Sequence, residues 1–350
     1  MALGLSACAT NSDQTRPPRN PTAARFGGLN KPMSLRSTGS FFVGGRKATF
    51  TTLEAGLYRG GPVSVDQMYV EYLIPEAVTG PSIVMIHGAT LTGKTYETTP
   101  DGRMGWYEYF ARQGFPSYVV DQVGRGRSGF DQAGFNNVRG KIAPPESQRN
   151  FRRIADDLAW VRFRFGPAAG VSFPDSQFPA EAAAPLAMQS VPDIQPDPAS
   201  DRANYTALAD LAGRLQDSIL IGHSQSGRFP FEVALLHPGG IKGVVAIEPG
   251  GCNSDGYSAG QISALAKVPI LVVFGDHLDA PQSVGPNWLP FFKDCQAFVA
   301  RVNAAGGKAT LLHTPDMGIR GNSHMIMQDR NNLEIADLLI SWVYRSVLKR

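Results

Sequence analysis

Cysteine is scarce in this 350-residue chain, with only three, at positions 8, 252 and 295. So few cannot staple a chain of this length, which in any case buries a large core unaided. Long hydrophobic runs are absent too. None approaches the ~18–20 apolar residues that a membrane-spanning helix needs. Nor does charge of one sign prevail, since 33 Lys and Arg face 30 Asp and Glu for a net +3 without a basic block. Nucleic acid is therefore not expected as a partner. Hydrophobic residues at 43% and 38 glycines exclude a disordered or collagen-like chain. Gly124–Gly129 spells G-x-G-x-x-G and Gly88–Thr95 spells G-x-x-x-x-G-K-T, but such matches are weak without a nucleotide-binding context, and nucleotide is not expected as a ligand. Length alone suggests two domains, although single α/β domains often run this long.

What is present begins with a tail. Leu5-Ser6-Ala7-Cys8 resembles a bacterial lipobox, in which the cysteine is lipidated. Met1–Leu5 lack a charged n-region and a full apolar stretch, so the motif reads as the remnant of an export signal. Residues 9 to 35, polar and proline-rich, read as a flexible tether, with order expected from about Phe41. Export would put Cys252 and Cys295 in an oxidising compartment, where pairing is the default; two free buried thiols are the alternative.

From Ser82 onward, short apolar runs recur, each ending in Gly, Asp or Pro-Gly: Ser82–Gly88, Ser117–Gln122, Ser218–Ser224, Gly243–Gly250 and Pro269–Asp276. They lack alternation, as do strands covered on both faces, and helical stretches separate them. The pattern predicts a mostly parallel twisted sheet with helices on both faces and right-handed crossovers. Before it, Phe41–Val43 and Gln67–Ile74 read as strands punctuated by Gly44-Gly45 and Pro75. After it, Asn331–Leu348 reads as a closing helix. Roughly 95 residues separate the strand ending near 122 from the one starting near 218, far more than a crossover needs. Within them Arg149–Phe165 is expected to be helical, and 166–203 an irregular, lid-like excursion.

In open parallel sheets ligands bind beyond the carboxyl ends of strands, and the notable residues fall there. Gly222-His223-Ser224-Gln225-Ser226-Gly227 sits between an apolar strand and a helix, the context of a nucleophile elbow. Ser226 stands where the G-x-S-x-G pattern has its second glycine. Acyl transfer also needs two N–H donors for the developing oxyanion, and Gln225 and Ala89 occupy the expected positions. His87 reads as structural, and Asp121–Gly129 as a turn shaping the pocket floor. Among six histidines, His324 best fits a base lying after the last strand, with His313 second. The acid stays open between Glu248 and the later aspartates Asp276 and Asp279.

The strings HGATLTG, ETTPDGRMGW, DQVGRGRSG, GHSQSG, AIEPGG and GNSHMIMQDRNN resemble the bacterial esterase 713 family of α/β-hydrolases. The likeness spans most of residues 40 to 345. It implies the α/β-hydrolase fold, with Ser224 as nucleophile, His324 as base and Glu248 as acid. A family member has two adjacent, joined cysteines at the oxyanion loop, where this chain has Ala89 and Thr90. The resulting expectation is a serine carboxylesterase, residues 36–350, acting on small-molecule esters through an acyl-enzyme. The alternatives are a thioesterase, lactonase or polyester hydrolase with the same triad, or a non-catalytic surface-anchored binding protein. No metal or organic cofactor is expected. The tail implies an exported, periplasmic or outer-membrane lipoprotein held to the membrane through Cys8.

Overall fold

The computed structural model describes residues 32–56, 59–194 and 198–350, so Cys8 and most of the tether lie outside the described residues. Eight strands form the main sheet: β1 (Leu35–Phe50), β2 (Gly61–Pro75), β3 (Ser82–Ile86), β4 (Ser117–Asp121), β5 (Ser218–His223), β6 (Ile241–Ile247), β7 (Ile270–Phe274) and β8 (Ala309–His313). Their order is β1-β2-β4-β3-β5-β6-β7-β8. Only β2 pairs antiparallel with its neighbours; the rest is parallel. Val84, Ile86, Leu220, Val244 and Ala246 enter the core on one face, while Ile83, Met85, Ile219, Ile221 and Val245 enter the core on the other. Two covered faces explain why these strands carry no polar alternation. Among the described residues no helix is long and apolar enough to cross a membrane.

Order begins earlier than expected from sequence. β1 starts at Leu35, and its pairing with β2 passes the Gly44-Gly45 turn signal without changing register. Helix α1 (Pro198–Leu215) explains why the strand persists: Ala207, Leu208 and Leu211 belong to the same buried cluster as Val43, and Asp210 accepts from the Gly44 N–H at 3.1 Å. This helix also overturns the irregular reading of 198–203. A proline in a first helical turn forfeits no hydrogen bond, so Pro198 opens a helix instead of breaking one.

The expected helix over Arg149–Phe165 shrinks to Asp156–Arg162, with Asp156 and Asp157 in its first turn, where carboxylates favour the helix dipole. The preceding residues are extended because tertiary contacts claim them. Phe151 stacks on Phe135 at 5.1 Å, and Phe151–Arg152 pairs with Asp193–Ile194. A short helix, Ala183–Gln189, interrupts the rest of the excursion. At the far end the closing helix spans Asn332–Trp342 and continues into a wider turn over Val343–Val347.

Cys252 and Cys295 form a disulfide across 43 residues, joining the loop after β6 to helix Leu289–Ala304. The Asp294 carboxylate fixes the same loop by accepting from the N–H groups of Cys252, Asn253 and Ser254 at 2.6–2.9 Å. Replacing both cysteines by alanine frees a loop of this length in the unfolded chain. The expected loss is about 3–4 kcal/mol of stability, read from urea unfolding as a lower midpoint with a steeper slope, because the freed unfolded chain exposes more surface.

Candidate active site

β5 delivers Ser224 on a tight turn that enters a short 3₁₀ segment and then helix Phe229–Leu236. The serine holds φ at +57°, a left-handed backbone that is sparsely populated outside glycine. Gly222 is required here, since a Cβ on it would lie 2.1 Å from the Ser226 carbonyl oxygen. Ser226 replaces the pattern's second glycine without clash because its hydroxyl is put to use. Its Oγ accepts from the His223 N–H at 3.0 Å and lies 2.9 Å from the Ile86 carbonyl, tying the turn to the end of β3.

The loop after β8 brings His324 to this turn. Nε2 of His324 lies 2.9 Å from Ser224 Oγ, and Nδ1 lies 3.2 Å from Glu248 Oε2. With the proton on Nδ1, the ring donates to Glu248 and accepts from the serine hydroxyl. Two backbone bonds set its height: the His324 N–H donates to Phe163 O at 2.8 Å, and the His223 ring donates to His324 O at 2.9 Å. Further along, Asp329 accepts from the N–H and hydroxyl of Ser323, both at 2.7 Å, and from Asn322 at 3.0 Å, so the loop is braced internally. Trp288 covers the imidazole at 4.1 Å between ring centres.

Glu248 ends β6 with φ at +49°. Its side chain and that of Arg164 are both 0% exposed, and they pair at 2.6 Å. Gly275 N–H donates to the same carboxylate oxygen. Burial alone would raise this carboxyl, but Arg164 and His324 outweigh it and hold it down at about 2. His324 moves the opposite way from a simple ion pair: burial lowers it to about 4, helped by Arg164 and Arg162 and resisted by Glu248. The residues read by themselves left the acid open and the resemblance implied Glu248; of the candidates, Glu248 is the one hydrogen-bonded to His324. Asp276 accepts from the N–H groups of His277 (2.8 Å) and Gly321 (3.0 Å), while the Asp279 carbonyl accepts from Asn287. Neither carboxylate bonds His324. His313 pairs with Asp316 instead.

Arg164 went unnoticed in the sequence, and so did Arg125 and Asp193. Arg125, within the glycine-rich turn after β4, is buried and donates in three directions: to Gly88 O (3.0 Å), Gln225 Oε1 (2.8 Å) and Asp193 Oδ1 (2.7 Å). Asp193 in turn accepts from Thr90 N–H at 3.3 Å and from Arg152 at 3.1 Å. One ion pair thus clamps the residues on both sides of Ala89 and the side chain of Gln225. His87 is structural in geometry, donating from Nδ1 to Gly88 O at 2.8 Å and accepting from Gln122 N–H at 3.0 Å. The loop touches the serine: a Cβ on Gly88 would lie 2.9 Å from Ser224 Cβ.

Ser224, Gln225, Ala89 and His324 line a chamber of about 400 Å³. A second, mainly apolar chamber of about 330 Å³ shares Thr90, Leu91, Ile154 and Phe163 with it and continues past Trp160, Phe165 and Leu186. Trp288 and Phe163 line the serine chamber, Trp288 while also packing in the core to which Trp106 and Phe229 belong.

The sheet order and the serine at its central turn define an α/β-hydrolase. No family model matches the chain. A bacterial esterase whose structure is known at atomic resolution is 45% identical, covering 92% of this chain and 99% of that one, with a TM-score of 0.84. The chain belongs to that family of bacterial esterases and is a carboxylesterase. A protein described as a probable secreted lipase, PhiG, of a fungus (Fungal sp. strain ATCC 74256) is 28% identical over 361 residues, which is 91% of this chain and 96% of that protein.

Removing Arg164 would strand a buried carboxylate. Arg164→Met is expected to cost about 3–5 kcal/mol, measured by equilibrium denaturation at neutral pH.

Proposed function

We propose that the chain hydrolyses carboxylic esters by a Ser224–His324–Glu248 triad through an acyl-enzyme. The observation that carries this reading is the unbroken hydrogen-bonded path from the serine oxygen through both imidazole nitrogens to a buried, ionised carboxylate. Ser224 Oγ attacks the ester carbonyl carbon as its proton passes to His324 Nε2. The negative charge that develops on the carbonyl oxygen accepts from the Ala89 and Gln225 N–H groups. Arg125 and Asp193 position those two donors. As the tetrahedral adduct collapses, His324 returns the proton to the departing alcohol oxygen. Water then attacks the acyl carbon, again giving its proton to His324, and the second collapse frees the acid and restores the serine. Glu248 keeps the imidazole in the required tautomer and offsets its charge while it is protonated.

The mainly apolar chamber suits one limb of the ester. Its volume is roughly twice the ~150 Å³ of a cavity that holds benzene, enough for a substituted ring or a medium alkyl chain. We read residues 36–350 as the catalytic domain and the segment before it as a tether. The disulfide suits an oxidising compartment, and the relative described as secreted supports export. Lipidation at Cys8, with membrane attachment in the periplasm or at the outer membrane, is the finer reading of the tail.

Ser224→Ala should lower kcat by something on the order of 10⁶ and abolish covalent labelling by a fluorophosphonate, with the labelled peptide of the wild type mapping to Ser224. Retained labelling in the variant would remove the serine from this role. The pH profile is the second test. An unperturbed imidazole predicts a fall in activity between pH 6 and 7, but burial of His324 keeps the base neutral to lower pH. As a group held at about 4, it loses its base function only as pH falls through that value. The acid limb of kcat/KM is therefore expected near pH 4–5, with little change from 6 to 8.

A further inference from the structure

The serine chamber has charged walls of a single sign. Arg152, Arg153 and Arg162 line it, and no carboxylate does. Arg152 is engaged with Asp193. The other two are not: among the described residues, Arg153 donates to the Ala187 carbonyl at 3.2 Å and Arg162 to the Pro286 carbonyl at 2.6 Å, and neither has a carboxylate partner. A guanidinium offers five N–H donors, so most of theirs remain for something else.

Arg162 is the better placed of the two. It is half-buried, and its guanidinium lies 4.5 Å from the centre of the Trp288 ring, which itself covers His324. Arg162 and the proposed base therefore both pack against the same aromatic ring. Its charged neighbour Arg164 is also a cation and is already bonded to Glu248. Both burial and Arg164 press on the charge of Arg162. A half-buried cation beside another cation costs free energy until an anion arrives. Asp156 and Asp157 open the same helix but stand at the rim of the neighbouring apolar chamber. The helix thus divides its charges between the two chambers, and the arginine falls on the side of the serine.

We propose that the preferred substrates are esters that keep a free carboxylate near the scissile bond, read by Arg162 with Arg153, while an apolar limb enters the neighbouring chamber. This inference rests on the Ser224 reading and deepens it. Arginine suits the task because its planar fork meets a carboxylate with two parallel bonds.

Two matched ester pairs test it, one for each limb. The first is 4-nitrophenyl hydrogen glutarate against 4-nitrophenyl methyl glutarate, with the charge on the acyl side. The second is the hexanoate of 4-hydroxybenzoate against the hexanoate of methyl 4-hydroxybenzoate, with the charge on the alcohol side. In at least one pair, kcat/KM for the anionic member should exceed that for the neutral member by about 10–100-fold at low ionic strength. The ratio should approach one in Arg162→Gln, fall partly in Arg153→Gln, and shrink for the unmodified enzyme in 0.5 M salt. Ratios at or below one in both pairs would overturn the proposal, as would a ratio that neither Arg162→Gln nor salt changes. Ser224→Ala separates the two levels. If it abolishes turnover of all four esters while the ratios stay flat, the carboxylate inference fails alone. If it leaves turnover intact, the Ser224 reading fails first.

Discussion

An ionised carboxylate sits at the centre of this molecule, out of reach of water, and the site depends on keeping it so. Moving a carboxylate into a low-dielectric interior costs several kcal/mol, and the usual escape is to take up a proton. Glu248 cannot take that route cheaply because Arg164 and Gly275 hold one oxygen while His324 faces the other. Arg164 is held in turn, donating from Nε to the Asp276 carbonyl at 2.7 Å. The histidine is thereby fixed in one tautomer by a partner that stays charged across the working pH range.

The same economy governs the backbone. Ser224, Glu248, Thr90 and Arg164 all adopt positive φ, at +57°, +49°, +58° and +58°. Non-glycine residues hold such angles only where the surroundings over-determine them. Here those surroundings are identifiable: the Ser226 hydroxyl beneath the serine, the Arg125–Asp193 clamp beside Thr90, and the disulfide with Asp294 behind the Glu248 loop. In place of a covalent link at Ala89 and Thr90, the loop is secured by one buried ion pair and the Val191 N–H bonded to Thr90 O.

How much could be read from residues alone varied with the range of the interaction. Unbroken apolar runs ending in glycine or an acid disclosed β3 to β7, because burial on both faces leaves a strand no polar positions. Ser224 and His324 could be picked out because each lies in a small-residue turn at a strand end. The extent of β1 was hidden, since Gly44 and Gly45 are turn formers, yet with Pro198–Leu215 packed against it the strand keeps its register with β2 on both sides of them. The helix expected from Arg149 starts instead at Asp156, because Phe151 and Arg152 have tertiary partners that a periodic pattern does not register.

By itself, then, the sequence determined the alternation of strands and helices, the serine turn, and the late histidine, all of which leave a mark in short, continuous strings of residues. Residue patterns alone did not choose among the strand-end carboxylates; the resemblance implied Glu248, and in the tertiary structure it is Glu248 that meets the histidine. Glu248 and Asp276 both follow apolar strands, and what separates them is that the Glu248 carboxylate meets His324 and Arg164, whereas Arg164 reaches Asp276 only at its backbone carbonyl. The charge of the chamber was also a tertiary outcome. Net charge is nearly balanced over the chain, yet the fold sends Arg162 to the serine and Asp156 and Asp157 to the neighbouring cavity, because residues on one short helix point to different sides.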